Sequence, residues 1–249
     1  MALREEFESA GSWLFRWRSY FPLIMIGIFL LALREYEYPG HSEKLDHLWE
    51  VFCLIISFFG LGIRMFTIGT TPKGTSGRNT REQVADILNT AGIYSVVRNP
   101  LYLGNFFMWL GIALFANLWW LTLIYVLVFW LYYERIIFAE EAYLRNKFGN
   151  EYLVWADSTP VFIPKPGQYR KTNLPFSWKT VLKREYNGFF AIIMVMFILE
   201  TVGELFAEGA FDFDFGWILL VSIGFIIWLT LRSLKKYITL GYIRGTWLS

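Results

Sequence analysis

Six long apolar runs, separated by polar segments, organise this chain: residues 13–33, 48–68, 101–115, 119–133, 188–206 and 215–234. Each reads as a helix embedded in a bilayer, where a full span usually takes about 20 residues. The third and fourth runs are shorter, and only Ala116, Asn117 and Leu118 join them, which predicts a tight helical hairpin. The first run has the look of a signal peptide at Arg16-Trp17-Arg18. No small-residue cleavage site follows and Arg34-Glu35-Tyr36-Glu37 closes it, so one retained, continuous anchor is expected. Past the fourth run the helical period continues to Gly149, a natural C-cap. The pattern predicts an all-α, multi-pass membrane bundle of about six transmembrane helices. It divides into a two-helix membrane segment (1–68), a core of loop, hairpin and post-hairpin helix (69–166), and a linker with two further spans (167–249).

Charge orients this bundle. Charged residues make up 18% of the chain and hydrophobic ones 55%, against about 25% and 45–50% in soluble domains. Of the 23 Lys and Arg, all but Arg34 and Lys44 fall on one side of a six-span arrangement. Basic residues mark the cytoplasmic side of membrane proteins. Both termini, and the polar segments 69–99 and 134–186, are therefore expected in the cytoplasm, in a bacterial inner membrane or an endoplasmic reticulum-type membrane. The single cysteine, Cys53, lies in an apolar run, and His41 and His47 share one short loop. These counts argue against a disulfide framework, a metal centre or a histidine-based triad. No nucleic-acid partner is expected, and the oligomeric state stays open.

Two polar stretches carry candidate chemistry. Asp86-Ile87-Leu88 reads as the end of a short amphipathic helix starting near Thr80, broken at Ala91-Gly92. Arg98-Asn99-Pro100 then turns the chain into the third run: proline suits a first helical turn and pushes Asn99 toward extended backbone. Non-helical backbone at membrane depth should line a polar cavity; the alternative is a plain entry turn with Arg98 snorkelling and Tyr94 and Tyr102 at the interface. In the post-hairpin helix, a Glu141–Arg145 pair at i,i+4 explains Glu141. It leaves Glu140 on the side of Ile136, Ile137 and Leu144. Gly69-Thr70-Thr71-Pro72-Lys73-Gly74-Thr75 imitates a phosphate loop without its lysine spacing or leading strand. Glu200 and Glu204 read as interfacial, and 164–180 as a plain linker.

Together the corner and the two-glutamate helix resemble the isoprenylcysteine carboxyl methyltransferase family and its phospholipid-methylating relatives. The resemblance rests on Leu88, Thr90, Gly92, Tyr94, Arg98, Asn99, Pro100, Tyr102 and Gly104, then on Glu140, Glu141, Phe148, Gly149, Glu151, Tyr152 and Pro164. It covers roughly 86–164 and implies S-adenosylmethionine bound on the cytoplasmic side. By motif position Asp86, Ile87, Leu88, Asn89, Tyr94, Asn99, Pro100, Leu101, Tyr102 and Glu140 would contact it. Asn99 stands where the family has histidine, and the family's substrate-facing arginine falls at Ile136, one residue from Arg135. Arg98, Tyr102 and Arg135 are the candidates for catalysis, with an arginine holding an anionic acceptor. The acceptor implied is a lipid or lipid-anchored molecule entering from the bilayer: a lipid phosphate, an amino head group or a prenylcysteine carboxylate. The competing readings are an NADPH-dependent sterol or isoprenoid-type reductase and a six-helix transport or scaffold protein.

Overall fold

The computed structural model describes residues 3–38, 40, 42–72, 85–209 and 214–245. Its helices are α1 (Leu3–Trp17), α2 (Phe21–Ala32), α3 (Glu43–Gly69), α4 (Pro100–Phe115), α5 (Trp119–Phe148), α6 (Asn150–Ser158), α7 (Trp178–Glu208) and α8 (Phe215–Gly245). Among the described residues there is no strand, only an isolated bridge between Gly92 and Arg170. Among the described residues four helices, α3, α5, α7 and α8, are long and apolar enough to cross a membrane; α1 with α2 makes a fifth if the bent pair is one span, and α4 is a shorter apolar helix.

The first apolar run is not one continuous helix. It breaks between Trp17 and Phe21, and α1 and α2 meet at 78°. Pro22 is the reason: its ring excludes the carbonyl of residue 18 from a helical turn and it has no N–H to donate. The predicted helix near Thr80 falls largely outside the described residues. Its described end, Asp86 to Leu88, is not helical. The fourth run continues as expected, α5 reaching Phe148 with Gly149 at φ +55° as its cap.

The connections gather at two ends of the bundle. At one, Asn117 Nδ2 donates to the Glu37 carbonyl (3.1 Å), Trp49 Nε1 to that of Leu114 (2.9 Å) and Tyr38 Oη to Glu208 (2.8 Å). There too Glu200 turns inward rather than to an interface. It is 6% exposed, and its carboxylate lies with those of Asp46 and Glu50, all within 4.8 Å of one another. Tyr36 donates to Asp46 (3.0 Å) and Trp217 to Glu50 (2.7 Å). The other end holds α1, the C-terminal turns of α3 and α5, the corner, and the N-terminus of α7.

α3 and α4 pack most closely of all. Gly60, Gly104 and Gly111 let the two backbones touch: a Cβ on Gly104 would meet Arg64 Cγ at 2.5 Å and the Gly60 carbonyl at 2.8 Å. Small residues at a helix crossing are how apolar helices associate without a hydrophobic driving force. Ser57 Oγ seals the contact by donating to the Met108 carbonyl (2.8 Å). Gly111→Leu is therefore expected to force the helices apart at about 1–3 kcal/mol or more, read as a lowered unfolding temperature in detergent.

Candidate active site

The corner is built by a strap, not by a linker. The segment from Pro160 to Ser177 runs back along it: Arg98 N–H donates to the Pro160 carbonyl (2.9 Å), Lys165 N–H to Val96 (3.0 Å) and Gly92 N–H to Arg170 (2.8 Å). Asn99 Nδ2 reaches the Val161 carbonyl at 3.1 Å, and Arg170 N–H donates to Ser95 Oγ at 2.8 Å. The plain-linker expectation for 164–180 is thus overturned. The backbone groups exposed where Pro100 interrupts helix find partners in this strap, as buried polar backbone must. Gly92 sits at φ +62° in the turn that starts it, a conformation that suits glycine. Asn99→Ala is expected to speed hydrogen exchange at the Arg98 and Lys165 amides, whereas Asn99→His, which keeps a donor, should preserve most of the protection.

Behind the corner, α4 and α5 bring Tyr102, Tyr133 and Glu140 together. The Tyr102 hydroxyl faces the Glu140 carboxylate, and the Tyr102 and Tyr133 rings lie 4.8 Å apart. Glu140 is enclosed by these elements yet its side chain keeps 26% of its accessibility, as a group lining an internal cleft does. Tyr94, on the 3-10 turn Ile93–Ser95, feels the same carboxylate. Burial pushes its hydroxyl pKa up and Glu140 adds to this, with Arg184 and Arg64 opposing, so the phenol stays protonated. Trp155 on α6 holds this turn by donating to the Tyr94 carbonyl (3.0 Å).

Several residues that the sequence does not single out complete the cleft. Arg64 on α3 makes a bidentate pair with Glu185 on α7 (2.8 and 2.7 Å) and donates to Asn105 Oδ1 (2.6 Å). Asn105 Nδ2 points on to the Tyr133 hydroxyl at 3.5 Å. Arg18, at the α1–α2 break, brings Nη1 to 4.0 Å from Glu140 Oε1. The signals were present: Arg64 and Asn105 are polar residues within apolar runs, and Arg18 stands four residues before Pro22.

The remaining candidates lie elsewhere. Arg98 Nε is 3.3 Å from Glu141 Oε1. Opposite it, burial and the Glu141 charge raise the Tyr152 hydroxyl pKa. Arg135 precedes Glu140 by five residues, which puts it about 140° round the helix, and its guanidinium stacks 3.7 Å over Phe7 of α1. Ile136 is fully buried in the core. Asp86 and Ile87 are exposed, and Asn89 Oδ1 accepts from Ala91 N–H in a local turn (3.3 Å). Leu88 and Leu101 are half-buried, and Pro100 is buried at the start of α4.

An all-helical bundle with a tyrosine–carboxylate cleft at a proline corner is the class that fold and site define. Residues 52–151, from within α3 to the start of α6, match the phospholipid methyltransferase family. Three curated proteins are similar to the chain. The nickel-cobalt-cadmium resistance protein NccN of Alcaligenes xylosoxydans xylosoxydans is 31% identical over 149 residues, 59% of this chain and 64% of that protein. The protein-S-isoprenylcysteine O-methyltransferase of Schizosaccharomyces pombe is 40% identical over 79 residues, 31% of this chain and 33% of its own length. The cobalt-zinc-cadmium resistance protein CzcN of Cupriavidus metallidurans is 32% identical over 133 residues, 53% of this chain and 58% of its own. The matches therefore span less than two thirds of each relative. No solved structure matches the chain.

Proposed function

We propose that this protein is an integral membrane methyltransferase that uses S-adenosylmethionine to methylate a lipid or lipid-anchored acceptor, with its site facing the cytoplasm. The observation that supports this reading is the convergence of Tyr94, Tyr102 and Glu140 in one cleft within the segment that matches the phospholipid methyltransferase family. The cleft suits the donor's chemistry. Glu140 offers a carboxylate to ribose hydroxyls or an amino group, and the Tyr94 and Tyr102 rings offer π-faces to a positive sulfur. The donor, when bound, supplies an electrophilic methyl group with its own leaving group. The protein's work is then positioning and exclusion of water. Tyr102 and Tyr133 wall the cleft, and the Arg64–Asn105 network fixes Tyr133. The Pro160–Ser177 strap closes the corner.

An apolar pocket of about 440 Å³ supports a lipid acceptor. Phe59, Ile63, Val97, Leu103, Phe107 and Phe162 line it with others. A chain of aromatic contacts links it to the cleft: Phe162 to Phe106 (5.7 Å), Phe106 to Phe129 (5.2 Å), Phe129 to Tyr133 (4.2 Å). A hydrocarbon tail in this pocket would bring its head group to the corner. The one-sided basic residues support the cytoplasmic orientation of the site. S-Adenosylhomocysteine is expected to raise the unfolding temperature of the detergent-purified protein and NADPH to leave it unchanged. Stabilisation by NADPH alone would favour the reductase and sink this reading.

A further inference from the structure

The strap that closes the corner has a second, outer face. From 158 to 184 the chain carries six Lys and Arg and no Asp or Glu. Five of these cations, Lys165, Arg170, Lys171, Lys179 and Lys183, are exposed. Arg64 and Arg98, set deeper at this end, each have a carboxylate, that of Glu185 and that of Glu141. Among the described residues, the ammonium groups of Lys165, Lys171, Lys179 and Lys183 make no such ion pair. Like charges gathered in this way repel one another, and an anionic surface offsets the repulsion.

The strap leads directly into α7, a helix long and apolar enough to cross a membrane. In the first turns of α7, Val181 and Glu185 are buried against the bundle. Lys179 and Lys183, one turn apart, lie roughly 160° round the helix from them and face away from the protein. Trp178 and Leu182 beside them are exposed, as is Tyr169 in the strap. Tryptophan and tyrosine settle at head-group level, and a lysine there lays its stem along apolar surface with its ammonium in water. Just before Lys165, Phe162, Ile163 and Pro164 line the apolar pocket. A partner for this surface therefore needs both negative charge and hydrocarbon. An anionic phospholipid has both, whereas an acidic protein segment has only the charge.

The same segment is bonded to the frame of the site. Ser177 N–H donates to the Gly69 carbonyl at the end of α3 (2.8 Å), and the Phe176 ring lies against Gly69. The Gly92 and Lys165 amides donate to the carbonyls of Arg170 and Val96. We propose that the outer face of the strap and the first turns of α7 form a binding surface for anionic phospholipid head groups, and that lipid seated there braces the corner through these backbone bonds. This holds whatever chemistry Glu140 serves, and its test needs no turnover.

The full-length protein in uncharged detergent is titrated with dioleoyl phosphatidylglycerol and, in parallel, with dioleoyl phosphatidylcholine. Unfolding temperature reports binding, and hydrogen exchange at the Gly92 and Lys165 amides reports where it acts. Wild type is expected to bind the phosphatidylglycerol at least about tenfold more tightly, since each lysine at an anionic surface contributes severalfold. Only phosphatidylglycerol should slow exchange at the two amides. Lys179→Gln with Lys183→Gln should lose most of the preference, as should Lys165→Gln with Lys171→Gln; where one pair does not fold, the other carries the test. Arg34→Gln with Lys44→Gln, an equal loss of charge from exposed residues at the opposite end, should keep it. Equal binding of the two lipids by wild type overturns the proposal and leaves the surface to an acidic protein segment. An unchanged preference in the lysine variants, or the same loss in the Arg34 and Lys44 variant, overturns it as well. A preference without slower exchange at Gly92 and Lys165 would place the lipid elsewhere and overturns it too.

Discussion

Glu140→Gln is expected to weaken S-adenosylhomocysteine binding by about 10- to 100-fold, the loss of one or two hydrogen bonds to a charged group. The substitution is nearly isosteric, so the Tyr102 and Tyr133 rings keep their places and the α4–α5 packing is undisturbed. It removes a carboxylate that is enclosed by the bundle, a costly environment for charge. The ligand-free variant should therefore unfold at the same temperature as wild type or higher. Calorimetric titration and thermal unfolding on one preparation check both halves. A variant that loses binding only because it loses stability would show both falling together, and would remove Glu140 from the donor's contacts.

The second large effect concerns the clamp that ties α7 to α3. Glu185 is 5% exposed and takes both arms of Arg64. Glu185→Ala leaves the partly buried Arg64 guanidinium, whose side chain keeps 21% of its accessibility, without its counter-charge, at about 3 kcal/mol, the low end of the range for a fully buried pair. A paired replacement, Arg64→Met with Glu185→Leu, removes both charges and should recover most of that loss, because two desolvated ions give way to apolar packing. Chemical unfolding of the single and paired variants in detergent measures the difference. The paired variant should nevertheless bind S-adenosylhomocysteine less well than wild type. Asn105 loses the 2.6 Å bond from Arg64, and with it the support of the Tyr133 hydroxyl. Equal stability of the single and paired variants would show the clamp to be a surface-like pair of small effect.

Periodicity and punctuation made most of the bundle legible. The apolar runs at 48–68, 119–133, 188–206 and 215–234 each lie within a helix of the structure, and Pro100 and Gly149 mark the boundaries their chemistry requires. Pro22 was as readable as Pro100, but the apolar residues on both sides of it suggested continuity. Hydropathy measures burial in lipid and does not detect a missing N–H. The strap escaped for a different reason. It is held by backbone bonds between segments some 60 to 80 residues apart, such as Arg98 to Pro160 and Gly92 to Arg170, and such bonds carry no residue preference.

In the candidate site, the convergence of Tyr94 and Tyr102 on Glu140 followed from the motif. Glu140 also stood out on physical grounds, as a carboxylate on the apolar side of its helix. Arg18, Arg64 and Glu185 did not stand out, because each acts across helices whose mutual rotation is set by packing. Gly11 on α1 and the Gly60–Gly104 crossing of α3 and α4 decide which faces meet, and small residues of that kind are common in any apolar helix.

Transfer of labelled methyl from S-adenosylmethionine to membrane material tests the central claim most directly. Membranes containing the protein, and matched membranes lacking it, are incubated with the labelled donor, and the lipid extract and prenylated peptides are analysed by mass spectrometry. The account predicts a species heavier by one methyl group in one of these fractions, dependent on the protein and abolished by Glu140→Gln. The same profile with and without the protein in every fraction would contradict it.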